Sequence, residues 1–214
     1  MKYKWNYEIP SPEQLEQISR LASEAHVSRT AAQLLLARGI DTAEKVRSFF
    51  RPMLHDLHDP FLMKDMDLAV QRLNEAMGQR ERIMVYGDYD VDGCTAVALV
   101  YRYITQYYSN VECYIPDRYE EGYGVSRKGV DYAAEAGVSL IIVLDCGIKA
   151  VEVIQYAKER GIDFIICDHH VPDDVLPPAV AVLNAKRVDN TYPFIDLSGC
   201  GVGFKFMQAF AISK

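Results

Sequence analysis

From residue 83 onward the chain alternates between short apolar runs and segments with helical spacing of apolar positions. The runs have the length and composition of strands and cover residues 83–86, 111–115, 140–144, 164–167 and 180–183. The helical segments lie between them, near residues 95–107, 127–136 and 150–160. Continuous apolar strands that alternate with helices are typical of βαβ units. The pattern therefore predicts an α/β fold, with a parallel five-stranded sheet covered by helices on both faces.

The first 62 residues have a different pattern, that of short helices. Ser11, Pro12 and Gln14 form a capping-box start with proline at the first helical position. A second helix is predicted to begin at Ser28 and to end at Gly39. The sequence thus predicts a small helical N-terminal segment over residues 1–62 and an α/β domain over residues 63–214.

Three aspartates follow the first predicted strand at alternate positions: Asp88, Asp90 and Asp92, in the stretch GDYDVDG. Carboxylates this close repel one another, and burial makes their charged forms still more costly. A divalent cation among them would reverse this cost. The alternative is a surface turn that carries three solvated aspartates.

Two further predicted strands also end in residues that can bind a metal. The third runs into Asp145, and the fourth runs into Asp168, His169 and His170. Each could instead cap a helix or lie free on the surface. However, the carboxyl ends of parallel strands meet at one edge of a sheet, which favours one shared site. Carboxylates with imidazoles suit Mn²⁺ or Mg²⁺, and two such ions would support hydrolysis of a phosphate ester.

One loop has the composition of a substrate-binding segment. Residues 115–126 combine Arg118, which suits a phosphate, with Tyr123, which suits stacking on a base. The alternative is a solvated loop in which Arg118 pairs with Glu120 or Glu121.

A second stretch is rich in glycine. Residues 198–206 place three glycines before Lys205, but they do not follow the order of a P-loop. Close backbone packing at a helix start is the preferred interpretation, and a phosphate contact through Lys205 is the second one.

Composition narrows the functional class only a little. The net charge of −7 over 214 residues argues against a general nucleic-acid-coating protein, which would be basic. It allows a nucleic-acid enzyme with a local basic groove. The five cysteines form no CxxC pair, and neither a membrane-length apolar run nor a signal-peptide core is found. We therefore expect a soluble protein of the reducing cytoplasm.

Several motifs in order resemble those of one known family. GDYDVDG at 87–93, LDCG at 144–147 and DHH at 168–170 resemble the first three motifs of the DHH phosphoesterase superfamily. IPDRYEEGYG, GCGVGFKF and the N-terminal helices are similar to the RecJ branch of that superfamily, the exonucleases that degrade single-stranded DNA. The resemblance covers nearly the whole chain.

The resemblance implies a role for each residue of these motifs. Asp168 and His170 would be the catalytic pair, with Asp168 orienting the imidazoles and His170 facing the metal or the scissile phosphate. Tyr86 stands where many members of the superfamily have a metal-binding histidine, so one ion would be held by a different set. The metal ligands would be Asp90, Asp92, Asp145 and His169, with Asp88 close to the ions.

The implied activity is metal-dependent 5′→3′ hydrolysis of single-stranded DNA to nucleotides in DNA repair and recombination. A helicase and a single-strand binding protein would be its partners. A fourth acidic motif and a further domain would lie beyond Lys214, so the DHH domain is expected to be incomplete at its C-terminal end and weakly active alone. The alternatives are a phosphodiesterase of short oligonucleotides or cyclic dinucleotides and a non-catalytic scaffold. The intact acids and histidines argue against the scaffold.

Overall fold

The computed structural model describes residues 9–214, which divide into two compact units. The first unit ends at Leu57, and the second spans His58–Lys214. The predicted domain boundary after residue 62 stays a prediction.

The first unit is helical. Its helices are α1 (Pro12–Ala25), α2 (Arg29–Leu36) and α3 (Ala43–Phe50), followed by a 3₁₀ turn at Leu54–Asp56. The capping box predicted at Ser11 and Gln14 is present in α1. Helix α2 ends at Leu36, before the predicted Gly39, which instead closes the following turn with a φ of +73°. The buried side chains of this unit are Ile18, Leu21, Ala32, Leu35 and Val46.

The second unit is a βαβ domain that begins with a 3₁₀ turn at Pro60–Leu62. Among the described residues, none of its helices has the length and apolar character that a membrane crossing requires. Its strands are β1 (Arg82–Gly87), β2 (Val111–Tyr114), β3 (Val138–Leu144), β4 (Asp163–Cys167) and β5 (Ala181–Leu183). Its helices are α4 (Met66–Gly78), α5 (Val91–Ile104), α6 (Arg127–Glu135), α7 (Val151–Lys158) and α8 (Gly199–Ile212).

The sheet has the strand order β2-β1-β3-β4-β5, and all its neighbours are parallel. Side chains alternate between its faces, as the pleat requires. Ile83 and Val85 of β1 join the core beneath α4, α5 and α8, whereas Met84 and Tyr86 join the core beneath α6 and α7. Both faces are therefore covered, and the predicted α/β fold with a parallel five-stranded sheet is confirmed.

The topology also determines where a ligand can bind. The chain builds outward from β1 to β2 on one side and from β3 to β5 on the other, so the strand order reverses between β1 and β3. In open α/β sheets, ligands bind beyond the carboxyl ends of the strands at this switch point. The residues that directly follow β1 and β3 are Asp88 and Asp145.

Helix α8 gives a direct test of the core. Phe206 is 0% exposed there, and its neighbour on the same helix, Phe204, is 39% exposed. We expect Phe206→Ala to lower the free energy of unfolding by about 3–5 kcal/mol, because it removes a buried ring and leaves a cavity. Phe204→Ala is the matched control and should cost much less. Urea denaturation measures both, and equal losses would contradict this assignment of the buried face.

Candidate metal centre

The carboxyl ends of β1, β3 and β4 bring the predicted acids to one edge of the sheet. Asp88, Asp145 and Asp168 each follow the last residue of a strand, and all three are buried. Asp90 comes two residues after Asp88, and its carboxylate caps α5 by accepting the Gly93 amide at 2.9 Å. The acids are therefore placed by strand ends and a helix start, which are rigid parts of the fold.

Two groups of potential metal ligands share one residue. Asp88, Asp90 and Asp145 form one group, and Asp145, His169 and His170 form the other. Within each group the ligand atoms lie within 4.8 Å of one another. Carboxylate oxygens with one or two imidazole nitrogens match the preferences of Mn²⁺ and Mg²⁺. The donor set therefore fits one or two such ions, with Asp145 between them.

Three buried carboxylate oxygens of this centre have no hydrogen-bond partner among the described residues. Within residues 9–214, neither carboxylate oxygen of Asp88 accepts a hydrogen bond. The same is true of Oδ1 of Asp145. His169 Nε2 is 3.2 Å from that Asp145 oxygen, in a geometry that does not make one. An unpaired buried carboxylate is costly. A cation is the partner that such oxygens fit.

The pKa values at the centre also show that the charged forms of these buried acids are disfavoured. Burial, together with the charges of Asp92 and Asp90, raises the pKa of Asp145 to about 7. Burial also raises the pKa of Asp88, with a smaller contribution from Asp90. Asp145 has in addition a left-handed backbone, with a φ of +61°, which is uncommon outside glycine. Strain of this kind clusters at functional sites.

Asp168 differs from the other buried acids because its carboxylate is fully engaged. Its Oδ1 accepts the amides of His169 at 2.7 Å and His170 at 3.0 Å, and lies 2.7 Å from His170 Nδ1. Its Oδ2 accepts the amide of Ile148 at 2.9 Å. With the Nδ1 hydrogen directed to Asp168, the other nitrogen of His170 faces away from it. Asp168 therefore orients the His170 ring and binds the backbone amides of both histidines.

Asp92 contacts a helix that lies far away in the sequence. Its two oxygens accept the amides of Gly199 at 2.7 Å and Cys200 at 2.8 Å, at the start of α8. It lies outside both ligand groups, and its Oδ2 is 3.9 Å from His169 Nε2. Its assignment as a metal ligand stays a prediction, while its contact with α8 is a feature that the sequence did not predict.

The predicted substrate residues lie in two different environments. Arg118 is exposed and lies over the ring of Tyr89 at 5.2 Å, and Tyr123 meets His170, with its hydroxyl 3.3 Å from Nε2. Tyr89 also makes an edge contact with Tyr123, at 6.2 Å between ring centroids. These three side chains lie beside the acids. The sequence does not single out Tyr89 as a substrate residue, because it lies between Asp88 and Asp90, whose pattern indicates a metal site.

Lys205 is not placed with them. It is 2% exposed, and its ammonium donates to the carbonyl oxygen of His58 and to Gln208, both at 2.8 Å. Burial lowers its pKa. The geometry therefore gives no support to a phosphate contact, and the preferred interpretation of the glycine-rich stretch as close packing at a helix start agrees with the structure.

A family model places this arrangement in a known class. The chain belongs to the DHH family, since the model described as "DHH family, N-terminal domain" matches residues 82–214. The chain is 42% identical, over 206 residues, to the single-stranded-DNA-specific exonuclease RecJ of Bacillus subtilis, covering 96% of this chain and 26% of that protein. The chain is also 36% identical, over 179 residues, to the RecJ of Escherichia coli, covering 83% of this chain and 30% of that protein.

Solved structures agree with these relatives. A crystal structure of exonuclease RecJ bound to manganese matches with a TM-score of 0.64 and 34% identity, covering 71% of this chain and 38% of that one. RecJ in complex with Mn²⁺ from Thermus thermophilus matches with a TM-score of 0.73 and 28% identity, covering 93% and 27%. The chain thus spans about a quarter to a third of the length of the curated relatives described above.

Asp145 predicts a pH dependence of stability. Its folded pKa of about 7 lies above the unfolded value, so between about pH 4 and 7 the folded metal-free protein holds a proton that the unfolded chain has lost. The free energy of unfolding should therefore fall as pH rises through this window, by up to about 1.4 kcal/mol per pH unit. Urea denaturation at several pH values measures this slope. Asp145→Asn should flatten it, and an unchanged slope in that variant would contradict the assignment.

The start of α8 packs so closely against Asp145 that there is no room for a side chain at Gly199. A Cβ at this position would lie 2.2 Å from Oδ1 of Asp145, whereas one at Gly201 would lie 3.3 Å from a flexible side-chain atom of Leu197. We expect Gly199→Ala to weaken Mn²⁺ binding by about 10–100-fold, because it displaces Asp145. Gly201→Ala is the matched control on the same helix. Isothermal titration calorimetry measures both, and equal affinities would show that α8 can move aside.

Proposed function

We propose that the chain forms the metal-binding part of a phosphodiester hydrolase that degrades single-stranded DNA from the 5′ end. The observation that carries the proposal is the pair of ligand groups that share Asp145 at the switch point of the sheet. The similarity to proteins named single-stranded-DNA-specific exonuclease RecJ supports the substrate class. Crystal structures of RecJ with manganese support Mn²⁺, and the carboxylate oxygens of the donor set also suit Mg²⁺.

The acids and histidines would hold the metal in two places. Asp88 and Asp90 would bind on one side of Asp145 and His169 on the other, with His170 beside that second place. Bound there, one or two Mn²⁺ or Mg²⁺ ions would supply Lewis-acid activation of the attacking water and the phosphoryl group. Asp92 lies close enough to His169 to complete the set, while it also holds α8.

The chain's own groups then do the orienting. Asp168 would accept the Nδ1 hydrogen of His170, so that Nε2 is directed to the hydroxyl of Tyr123. Arg118 offers an exposed guanidinium for a phosphate of the strand. The aromatic rings of Tyr123 and Tyr89, which contact each other, lie beside Arg118 and suit the stacking of bases of a single strand. A local positive contact of this kind serves the substrate despite the net negative charge of the chain.

We also propose a cytoplasmic location and action in DNA repair and recombination. The five cysteines support a reducing compartment, because each is free. A helicase would supply the single strand, and a single-strand binding protein would present it. These two partners rest on the family resemblance alone.

The proposed activity is tested with the full-length protein and Mn²⁺. We expect labelled mononucleotide to be released from 5′-labelled single-stranded DNA, with little from duplex DNA or dinucleotides. Asp90→Asn and His169→Ala should each lower the rate by about 100-fold or more, since each removes a metal ligand. Asp67→Asn, at an exposed position in the first turn of α4, is the matched control.

Other outcomes lead to different conclusions. Cleavage of dinucleotides alone would replace the proposal with a phosphodiesterase of short substrates. Binding of Mn²⁺ without turnover of any substrate would contradict enzymatic function.

A further inference from the structure

Residues 115–126, here called the site loop, connect β2 to α6 and carry Arg118 and Tyr123. The backbone of the site loop turns at Gly122 and Gly124, whose φ values are +80° and +82°. Glycine adopts this region without strain, but it also leaves a chain more conformational freedom to lose. The site loop therefore needs further contacts to hold one conformation.

Tyr86 supplies the first of these contacts from inside the sheet. Its side chain is 1% exposed. Its hydroxyl donates to the carbonyl oxygen of Gly124 at 2.9 Å and accepts the amide hydrogen of Ser126 at 3.2 Å. Buried polar groups are costly when they are left unpaired, so the hydroxyl and the two loop groups restrain one another.

Glu121 supplies the second set of contacts. Its carboxylate accepts hydrogen bonds from the Tyr114 hydroxyl at 3.0 Å, from the Asp117 amide at 2.9 Å and from the Ser126 hydroxyl. The bonds from Asp117 and Ser126 join the two ends of the site loop, and the bond from Tyr114 joins the loop to β2. Hydrogen bonds to a carboxylate are stronger than those between neutral groups. Glu121 is thereby engaged inside the loop rather than with Arg118.

The conformation held in this way places Tyr123 against His170. The imidazole is contacted at both nitrogens: Nδ1 lies 2.7 Å from Asp168, and Nε2 lies 3.3 Å from the Tyr123 hydroxyl. One of these contacts comes from the end of β4 and the other from the site loop. In the part of the chain that the structure describes, neither Tyr86 nor Glu121 hydrogen-bonds to His170 itself.

We propose that Tyr86 and Glu121 are positioning residues, which hold the site loop so that Tyr123 keeps the His170 imidazole in its working orientation. The use of that orientation rests on the proposed phosphodiester hydrolysis. The placement of the site loop does not depend on it, so the two can be tested separately.

The competing explanation is that Tyr86 only fills the core. Its ring stacks on Tyr114 with 5.3 Å between centroids, and Gly129 leaves room for it, since a Cβ there would lie 2.8 Å from the ring. Phenylalanine would keep the ring and its packing while it removes the hydroxyl. Tyr86→Phe therefore separates positioning from packing.

The first measurement follows the site loop without any substrate. In the full-length protein bound to Mg²⁺, which is diamagnetic, Tyr86→Phe and Glu121→Gln should speed amide hydrogen exchange in residues 115–126 and change the ¹⁵N shifts of His170 as Tyr123→Phe does. Mn²⁺ affinity should stay within about twofold, because neither residue hydrogen-bonds to Asp88, Asp90, Asp145 or His169. Tyr108→Phe is the matched control, since its hydroxyl also donates to a backbone carbonyl, that of Glu81. Unchanged exchange and shifts in Tyr86→Phe would overturn the proposal.

The second measurement is a double-mutant cycle on single-stranded DNA. Tyr86→Phe and Tyr123→Phe should each lower kcat/KM by about tenfold, the effect of losing one hydrogen bond of ordinary strength. The double variant should lose no more than Tyr123→Phe alone, because Tyr86 acts through Tyr123. Fully additive losses would overturn the proposal. If the unaltered protein does not cleave DNA, the proposed function fails, and the exchange and ¹⁵N data still decide whether Tyr86 positions the loop and His170.

Discussion

The structure depends on one electrostatic constraint, the burial of two unpaired carboxylates at the same edge of a sheet. Asp88 and Asp145 follow β1 and β3, which are neighbours, so the topology brings their charges together. Burial raises the pKa of both, and within residues 9–214 neither finds donors for all its oxygens. Without a metal, these carboxylates therefore lower the stability of the fold, and a bound divalent cation would make them stabilising.

A third buried aspartate at the same edge shows what the same residue type does when it is fully bonded. Asp168 accepts two backbone amides of its own turn, the Ile148 amide and the imidazole of His170. Both of its oxygens accept hydrogen bonds, whereas those of Asp88 accept none from the described residues. The edge thus combines a fixed acid that orients a histidine with open acids that suit a cation, and the difference lies in the backbone amides around each carboxylate.

Helix α8 closes this edge from the far end of the chain. Its first amides are bonded to Asp92, and the lack of a side chain at Gly199 lets its start approach Asp145. The positive end of the helix dipole is favourable beside the carboxylates. On the same helix Lys205 is buried against His58, so its ammonium supports packing rather than the centre.

The sequence by itself determined the sheet and most of the candidate centre, because both depend on local order. Apolar runs that alternate with helices produce parallel strands, and Asp88, Asp145 and Asp168 reach the same edge of the sheet since each directly follows a strand. Only the tertiary structure decided three features: the partners of Asp92, which lie 107 and 108 residues away, the burial of Lys205, and the bond from Tyr86 to the site loop. Periodicity determines which face of an element is buried. It does not determine which distant group folds back to meet a given side chain, because that depends on the packing of the whole domain.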